Sequence, residues 1–248
     1  VESWVGMHSP AHTGTMEDSA LILLHTGRGD RNLRLTGRKD LVRVRQGIYA
    51  PRDAWSALRP WEQYELRVQA FRITHPHAIL SHESALVAHD LPFFGNPRQI
   101  HVFDPTRPKS VAVGGVMHHA SIDGRDVVET QLGLATSAID TAIDVGRTQH
   151  RAHALATWDA LLRNNRPVNS DAISQRWWAQ RSTRGTRSLS WLSRHATEAA
   201  ESAGESLSRA VISWLGFEAP TLQHRVVTDE GIWRLDFAWL DRMVGGEF

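Results

Sequence analysis

The chain has 248 residues, 41% of them hydrophobic and 22% charged, which suits a soluble globular protein with room for one large core or two to three smaller ones. It contains no cysteine, which excludes disulfide frameworks, thiolate zinc sites and cysteine nucleophiles, and its formal net charge of +1 excludes a polycation. No window approaches the ~18 consecutive apolar residues of a membrane helix, so no membrane partner is expected and a cytoplasmic location is the default.

The first residues, "VESWVGMHSPAHTG", carry no basic-then-apolar leader pattern, and residues 1–16 are expected to be disordered. An apolar run, "ALILLH", precedes "TGRGDRNLRLTGRKD". The tripeptide Arg28-Gly29-Asp30 also spells an adhesion signal, for which chance is the better explanation. In "LVRVRQGIYA" the alternation of Leu41, Val42, Val44, Ile48 and Tyr49 around Gln46-Gly47 reads as strand–turn–strand. Helical material followed by a short basic hairpin is the pattern of a winged helix, here placed at residues 17–55. Arg28, Arg31, Arg34, Arg38, Lys39, Arg43, Arg45 and Arg52 crowd this segment against Asp30, Asp40 and Asp53. Such clustering favours DNA phosphates over a merely solvated face, with Arg38, Lys39, Arg43 and Arg45 as the DNA-binding candidates. Arg43 and Arg45 are expected to face the same way along a wing.

"PWEQYELRVQAFRITHP" reads as a helix with Pro60 in its first turn and Pro76 beyond its end. "SHESALVAHDL" reads as a second helix with Ser81 as N-cap, stopping before Pro92. "QIHVFDP" and "GVMHHAS" are strand candidates. "TSAIDTAIDVGRTQHRAHALATWDALLRNN" follows as two amphipathic helices, the first opened by Thr136 or Ser137, and residues 171–200 are helical and rich in Trp and Arg. Beyond the acidic stretch near 198–205, "SLSRAVISWLGF" is an amphipathic helix with Gly216 near its end. "LQHRVVTDEGIWRLDFAW" is a hairpin turning at Asp229, Glu230 and Gly231.

One acid on a helix, Glu205, and two on neighbouring strands, Asp236 and Glu247, form a set that can gather Mg²⁺ ions for phosphodiester hydrolysis. Taken by spacing alone, surface carboxylates are the better reading. The histidine pairs at 75/77 and 118/119 and the dipeptide His82-Glu83 resemble ligand motifs, but Leu86 stands where a zinc-protease motif needs its second His. Each of the 14 histidines is read as a satisfied or surface residue. No glycine-rich nucleotide loop and no serine-hydrolase elbow is present. The tryptophans, Trp177, Trp178 and Trp191 among them, are expected in cores.

In order, these segments resemble an actinobacterial family that joins an AbiEi-like antitoxin region to a domain similar to very-short-patch-repair endonucleases. "LVRVRQGIYA" looks like its wing, "HAILSHESALVAHDLP" like its central helix, and "GLATSAIDTAIDVGR" and "ATWDALLRN" like the helices that close that region. "GESLSRAVISWLGFEAPTLQHRV" and "RLDFAWLDRMVGGEF" look like the opening of the endonuclease-like domain. The resemblance implies an α+β chain with a winged helix at 17–55, an AbiEi-like α/β middle domain with helical connector at 56–198 and the start of a restriction-endonuclease-like domain at 199–248. It also implies that Glu205 and Arg209 match a helix signature, Gln223 a first strand, Asp236 the first metal-binding acid and Glu247 the second. That family continues after the Glu with one residue, Asp-Gly and soon a Lys, whereas this sequence reaches Phe248. The expectation is a DNA-binding regulator or antitoxin, its partners being DNA and a cognate toxin from a neighbouring gene. The other reading is a Mg²⁺-dependent endonuclease whose catalytic domain continues past Phe248; as printed, the catalytic strand is expected to be truncated and the chain not to cleave DNA.

Overall fold

The computed structural model describes residues 24–25, 38–164, 168–229 and 231–248. The expected N-terminal disorder and the helical material ahead of the wing lie outside the described residues. The fold is mixed α+β and divides into two compact units between Ser137 and Ala138.

The first unit opens with a small antiparallel sheet of β1 (Leu24–His25), β2 (Leu41–Arg45) and β3 (Ile48–Pro51), in the order β1-β3-β2. Gly47, at φ +76°, makes the tight turn between β2 and β3, as the Gln46-Gly47 dipeptide leads one to expect. The register shifts between Arg43 and Arg45, a bulge that breaks the simple alternation. A short helix α1 (Arg52–Ala57), not read from the sequence, follows directly.

Helix α2 (Pro60–Thr74) starts with proline at N1, and the Glu62 side chain accepts from the Arg59 backbone N–H at 2.6 Å. Its residues Tyr64, Val68 and Phe71 recur at i, i+4 and i+7 and are almost wholly buried, so one stripe of the helix faces the core. Burying each large apolar side chain of this kind is worth about 1.5–3 kcal/mol. Helix α3 (His82–Ala88) has Ser81 at its N-cap position in extended conformation, without a side-chain capping bond.

A six-stranded mixed sheet completes this unit: β4 (Ile79–Leu80), β5 (Ile100–Phe103), β6 (Val111–Val113), β7 (Val116–His119), β8 (Val127–Thr130) and β9 (Gly133–Thr136), ordered β6-β7-β5-β4-β9-β8. Only β5 and β7 are legible in the sequence. They pair in parallel, with Ile100 opposite Val116 and Val102 opposite His118. Ile100, Val102, Val116, Leu80 and Ala135 join the α2 stripe in one core.

The second unit contains α4 (Ala138–Thr148), α5 (Arg151–Asn164), α6 (Ser170–Trp178), α7 (Thr186–His195) and α8 (Ala203–Trp214), then an antiparallel sheet β10-β11-β12. The helices pack around Trp158, which is wholly buried and donates its indole N–H to the Ala142 carbonyl at 2.9 Å. Trp177 and Trp191 are buried as expected, whereas Trp178 is 69% exposed. Asn169 and Ser202 cap α6 and α8 by accepting from Ala172 N and Glu205 N. Strands β10 (Thr221–Thr228) and β11 (Gly231–Trp239) form the expected hairpin, with Thr228 opposite Gly231. A single 3₁₀ turn, Leu240–Arg242, leads to β12 (Val244–Gly246). No described helix is long and apolar enough to cross a membrane.

Candidate functional site

In the first unit, the β2–β3 hairpin, the last turn of α2 and the β6–β7 turn enclose a groove of about 1330 Å³. Four arginines line it, Arg43, Arg45, Arg67 and Arg98, together with His75 and His118, and none of its described lining residues is acidic. Arg43 is exposed, whereas the Arg45 guanidinium lies 4.6 Å from the centre of the Phe71 ring. The two differ in environment, though both line the groove. The bulge between them is the local irregularity that separates two positions simple alternation would make equivalent. Arg67 donates to the Pro97 carbonyl at 3.3 Å and lies 5.8 Å from the Trp55 ring centre, so its charge is held in place. Burial, reinforced by the Arg45 charge, lowers the His75 pKa and keeps that imidazole neutral at pH 7.

Arg38 and Lys39 do not line the groove. Arg38 makes a two-pronged ion pair with Asp40, at 3.0 and 2.5 Å, and Lys39 offers its carbonyl to Arg52 Nε at 2.6 Å. Arg67 and Arg98, which sequence clustering did not single out, take their place beside Arg43 and Arg45. They stand 22 and 53 positions beyond Arg45, and only the packing of α2 and the approach to β5 bring them to the hairpin.

In the second unit, Glu205, Gln223 and Asp236 meet. Glu205 is 4% exposed, near the start of α8, and its Oε2 accepts from Gln223 Nε2 at 2.8 Å and from the Glu201 backbone N–H at 3.0 Å. The same Gln223 Nε2 lies 3.3 Å from Asp236 Oδ1, while Asp236 Oδ2 accepts from the Phe248 backbone N–H at 2.9 Å. Gln223 adopts φ +53° within β10, a conformation that L residues rarely take inside a strand. Its Oε1 is buried and accepts no hydrogen bond among the described residues. Glu247 is exposed and sits one residue beyond β12 instead of within it. Since Phe237 pairs with Gly246, one further step of the same register sets Glu247 across from Asp236.

Arg209 is tied into the helical core. It forms an ion pair with Asp159, a wholly buried carboxylate, at 2.7 Å, and donates to the His195 carbonyl. Asp159 also accepts from Ser206 Oγ at 2.7 Å and from the Thr197 backbone N–H at 2.8 Å. Burial pushes its carboxyl up to about 6, against the pull of Arg209.

The histidines do not remain scattered. His75 stacks on Phe71 with ring centres 4.4 Å apart, but His82, His101 and His119 come together in the first unit. Burial lowers the His101 pKa, opposed by the nearby Glu83 carboxylate, and so favours the neutral ring. Reading each histidine as satisfied or at the surface is compatible with these contacts but gives no sign that the three gather, for which the sequence has no regular spacing.

No family model matches the chain. Two proteins of Mycobacterium tuberculosis are similar to it, "Uncharacterized protein MT2308" from strain CDC 1551 and "Uncharacterized protein Rv2248" from strain H37Rv. Each is 34% identical over 209 residues, which cover 84% of this chain and 73% of the relative. The chain belongs to the family of these two mycobacterial proteins.

Proposed function

We propose that this chain is a DNA-binding protein of the AbiEi-like regulator or antitoxin type, holding the duplex backbone through the arginine-lined groove. The observation that carries this reading is the groove itself, with four arginines and no acidic residue among its described lining. Four guanidinium groups around one concave surface supply both the long-range attraction and the fork-shaped donors that phosphate oxygens take. The three-stranded β1-β3-β2 sheet with its basic hairpin has the strand arrangement of a wing, and backbone contacts of this kind set orientation while bases are read elsewhere. A regulator of this type works in the cytoplasm, and an antitoxin has a toxin from a neighbouring gene as its partner.

The test is binding of the chain to DNA from its own upstream region, in EDTA, across a salt series. Affinity is expected to fall linearly in log–log form as salt rises, and Arg43→Ala with Arg67→Ala is expected to weaken binding and flatten the slope. Salt-independent binding, or unchanged binding by the double variant, overturns the reading. Co-purification with the product of an adjacent gene tests the toxin partner separately.

A second reading, a Mg²⁺-dependent DNA endonuclease of the restriction-endonuclease-like type, is favoured by the Glu205–Gln223–Asp236 cluster. The donor set fits a hard cation: Glu205 and Asp236 share one amide donor, Gln223 Oε1 is a buried acceptor without a partner among the described residues, and Glu247 is one register step away. Asp236, Glu247 and Glu205 are the residues that would hold Mg²⁺, which orients a water and stabilises the leaving oxygen when bound. Nicking of supercoiled DNA that requires Mg²⁺ and disappears in Asp236→Ala supports this reading, and its absence from the full-length protein sinks it.

A further inference from the structure

We propose that His82, His101 and His119, with Glu83 beside them, bind a divalent transition-metal ion of the zinc class in the first unit. The three histidines come from three separate elements. His82 is the first residue of α3, His101 lies in β5 and His119 ends β7. In the parallel pairing of β5 with β7, His101 is opposite Met117 and Phe103 is opposite His119. The two-residue period of a strand therefore sets His101 and His119 on one face, while Ile100, Val102 and Val116 enter the core on the other. Helix α3 begins against that face and delivers His82.

The distances are those of ligands around one small ion. One potential ligand atom from each histidine lies within 4.8 Å of the others. His101 Nδ1 and His119 Nε2 are 2.9 Å apart, and Glu83 Oε2 is 3.5 Å from His101 Nδ1. Ligand atoms about 2.0–2.1 Å from a tetrahedral Zn²⁺ stand roughly 3.3 Å from one another, between those two separations. A set of three imidazole nitrogens suits zinc and its neighbours, not Mg²⁺ or Ca²⁺. Ser81 Oγ lies 3.3 Å from His82 Nδ1, the position of the outer hydrogen-bond partner that orients a metal-bound imidazole.

Three further features point the same way. His82 adopts φ +48°, a left-handed conformation at the first residue of a helix, where an L residue is expected near −60°. His82 and Glu83 are 7% and 8% exposed, so an imidazole and a carboxylate are withdrawn from water at the same place. The His82 ring stacks on that of His119 with centres 3.6 Å apart, which keeps the two side chains together. Three imidazoles around one ion, with Glu83 next to His101, would fasten the start of α3 to the β5–β7 pair.

The experiment uses the full chain, stripped with a chelator and dialysed against Zn²⁺, with bound metal counted by mass spectrometry. One zinc per chain is expected, together with a rise in melting temperature on adding zinc. Co²⁺ in place of Zn²⁺ is expected to give the intense visible bands of a tetrahedral site, bleached by added Zn²⁺. His101→Asn and His119→Gln should each reduce zinc affinity at least tenfold and abolish the melting shift, whereas His224→Gln should leave both unchanged. Because a cluster variant could fail to fold, the cobalt spectrum of the unaltered chain is read independently. Sub-stoichiometric zinc with no cobalt bands, leaving a network of imidazoles alone, overturns the proposal. So does stoichiometric zinc that survives in folded His101→Asn/His119→Gln.

Discussion

Gln223 donates through Nε2 to Glu205 Oε2 at 2.8 Å, from a backbone at φ +53° in the middle of a strand. The bond explains why the unfavourable conformation persists: the amide is the donor set between Glu205 and Asp236. Gln223→Ala is expected to lower stability by about 1–3 kcal/mol, because the buried Glu205 Oε2 loses one of its two donors. Gln223→Gly should be more stable than Gln223→Ala, the reverse of the usual strand preference, since glycine takes positive φ without cost. Urea unfolding of the three proteins checks the order.

The groove arginines should separate by role. Arg43→Ala is expected to weaken DNA binding and reduce the log–log salt slope by about 0.9, the value for one phosphate contact, with the unfolding midpoint unchanged. Arg45→Ala should do the same and also cost about 1 kcal/mol of stability, because its guanidinium lies 4.6 Å from the Phe71 ring centre. Binding isotherms paired with denaturation curves separate the two effects.

Asp159 should leave a mark on the pH dependence of stability. Its carboxyl rises from an ordinary 3.8 to about 6, so the folded protein holds this proton more tightly than the unfolded chain does. The resulting stabilisation is fully present below about pH 4 and is lost as pH rises through about 6, a change on the order of 3 kcal/mol. Arg209 and Arg163 are the charges that oppose the shift. The difference in urea midpoint between the unaltered chain and Asp159→Asn, followed from pH 4 to 7, isolates this contribution.

Gly146 in α4 packs closely against α7. A Cβ there would come within 2.7 Å of Leu189 Cδ2 and 2.9 Å of Leu192 Cδ1. Gly146→Ala is therefore expected to destabilise the protein by about 1–2 kcal/mol despite alanine's higher helix propensity, because overpacking costs about 1–3 kcal/mol. The melting temperature should fall correspondingly.

Elements with strong local signals were readable without coordinates. The β2–β3 hairpin announces itself by alternation around Gln46-Gly47, α2 by its prolines at 60 and 76, and the β10–β11 hairpin by its turn residues. Strands β4 and β6 were not, since two or three residues show no period, nor were β8 and β9, which are as short as β5 and β7 but show no apolar alternation and are held by their neighbours in the sheet. The carboxylates at 205 and 236 could be named from the resemblance, but not their shared donor geometry or the buried Oε1 beside them.

What the order of residues determined by itself was the class of the chain: α+β, without cysteine, with a basic hairpin near the start and a second hairpin, carrying Asp236, near the end. Local preferences act over a few residues, and a few residues suffice to write them. The gathering of Arg67 and Arg98 with Arg43, and of His82, His101 and His119, was decided only in the tertiary structure. Residues 101 and 119 become neighbours because β5 and β7 run parallel, and a parallel pair needs a long connection that no short-range pattern encodes. The charges and the imidazoles are local facts of the sequence; their convergence belongs to the sheet that folds them together.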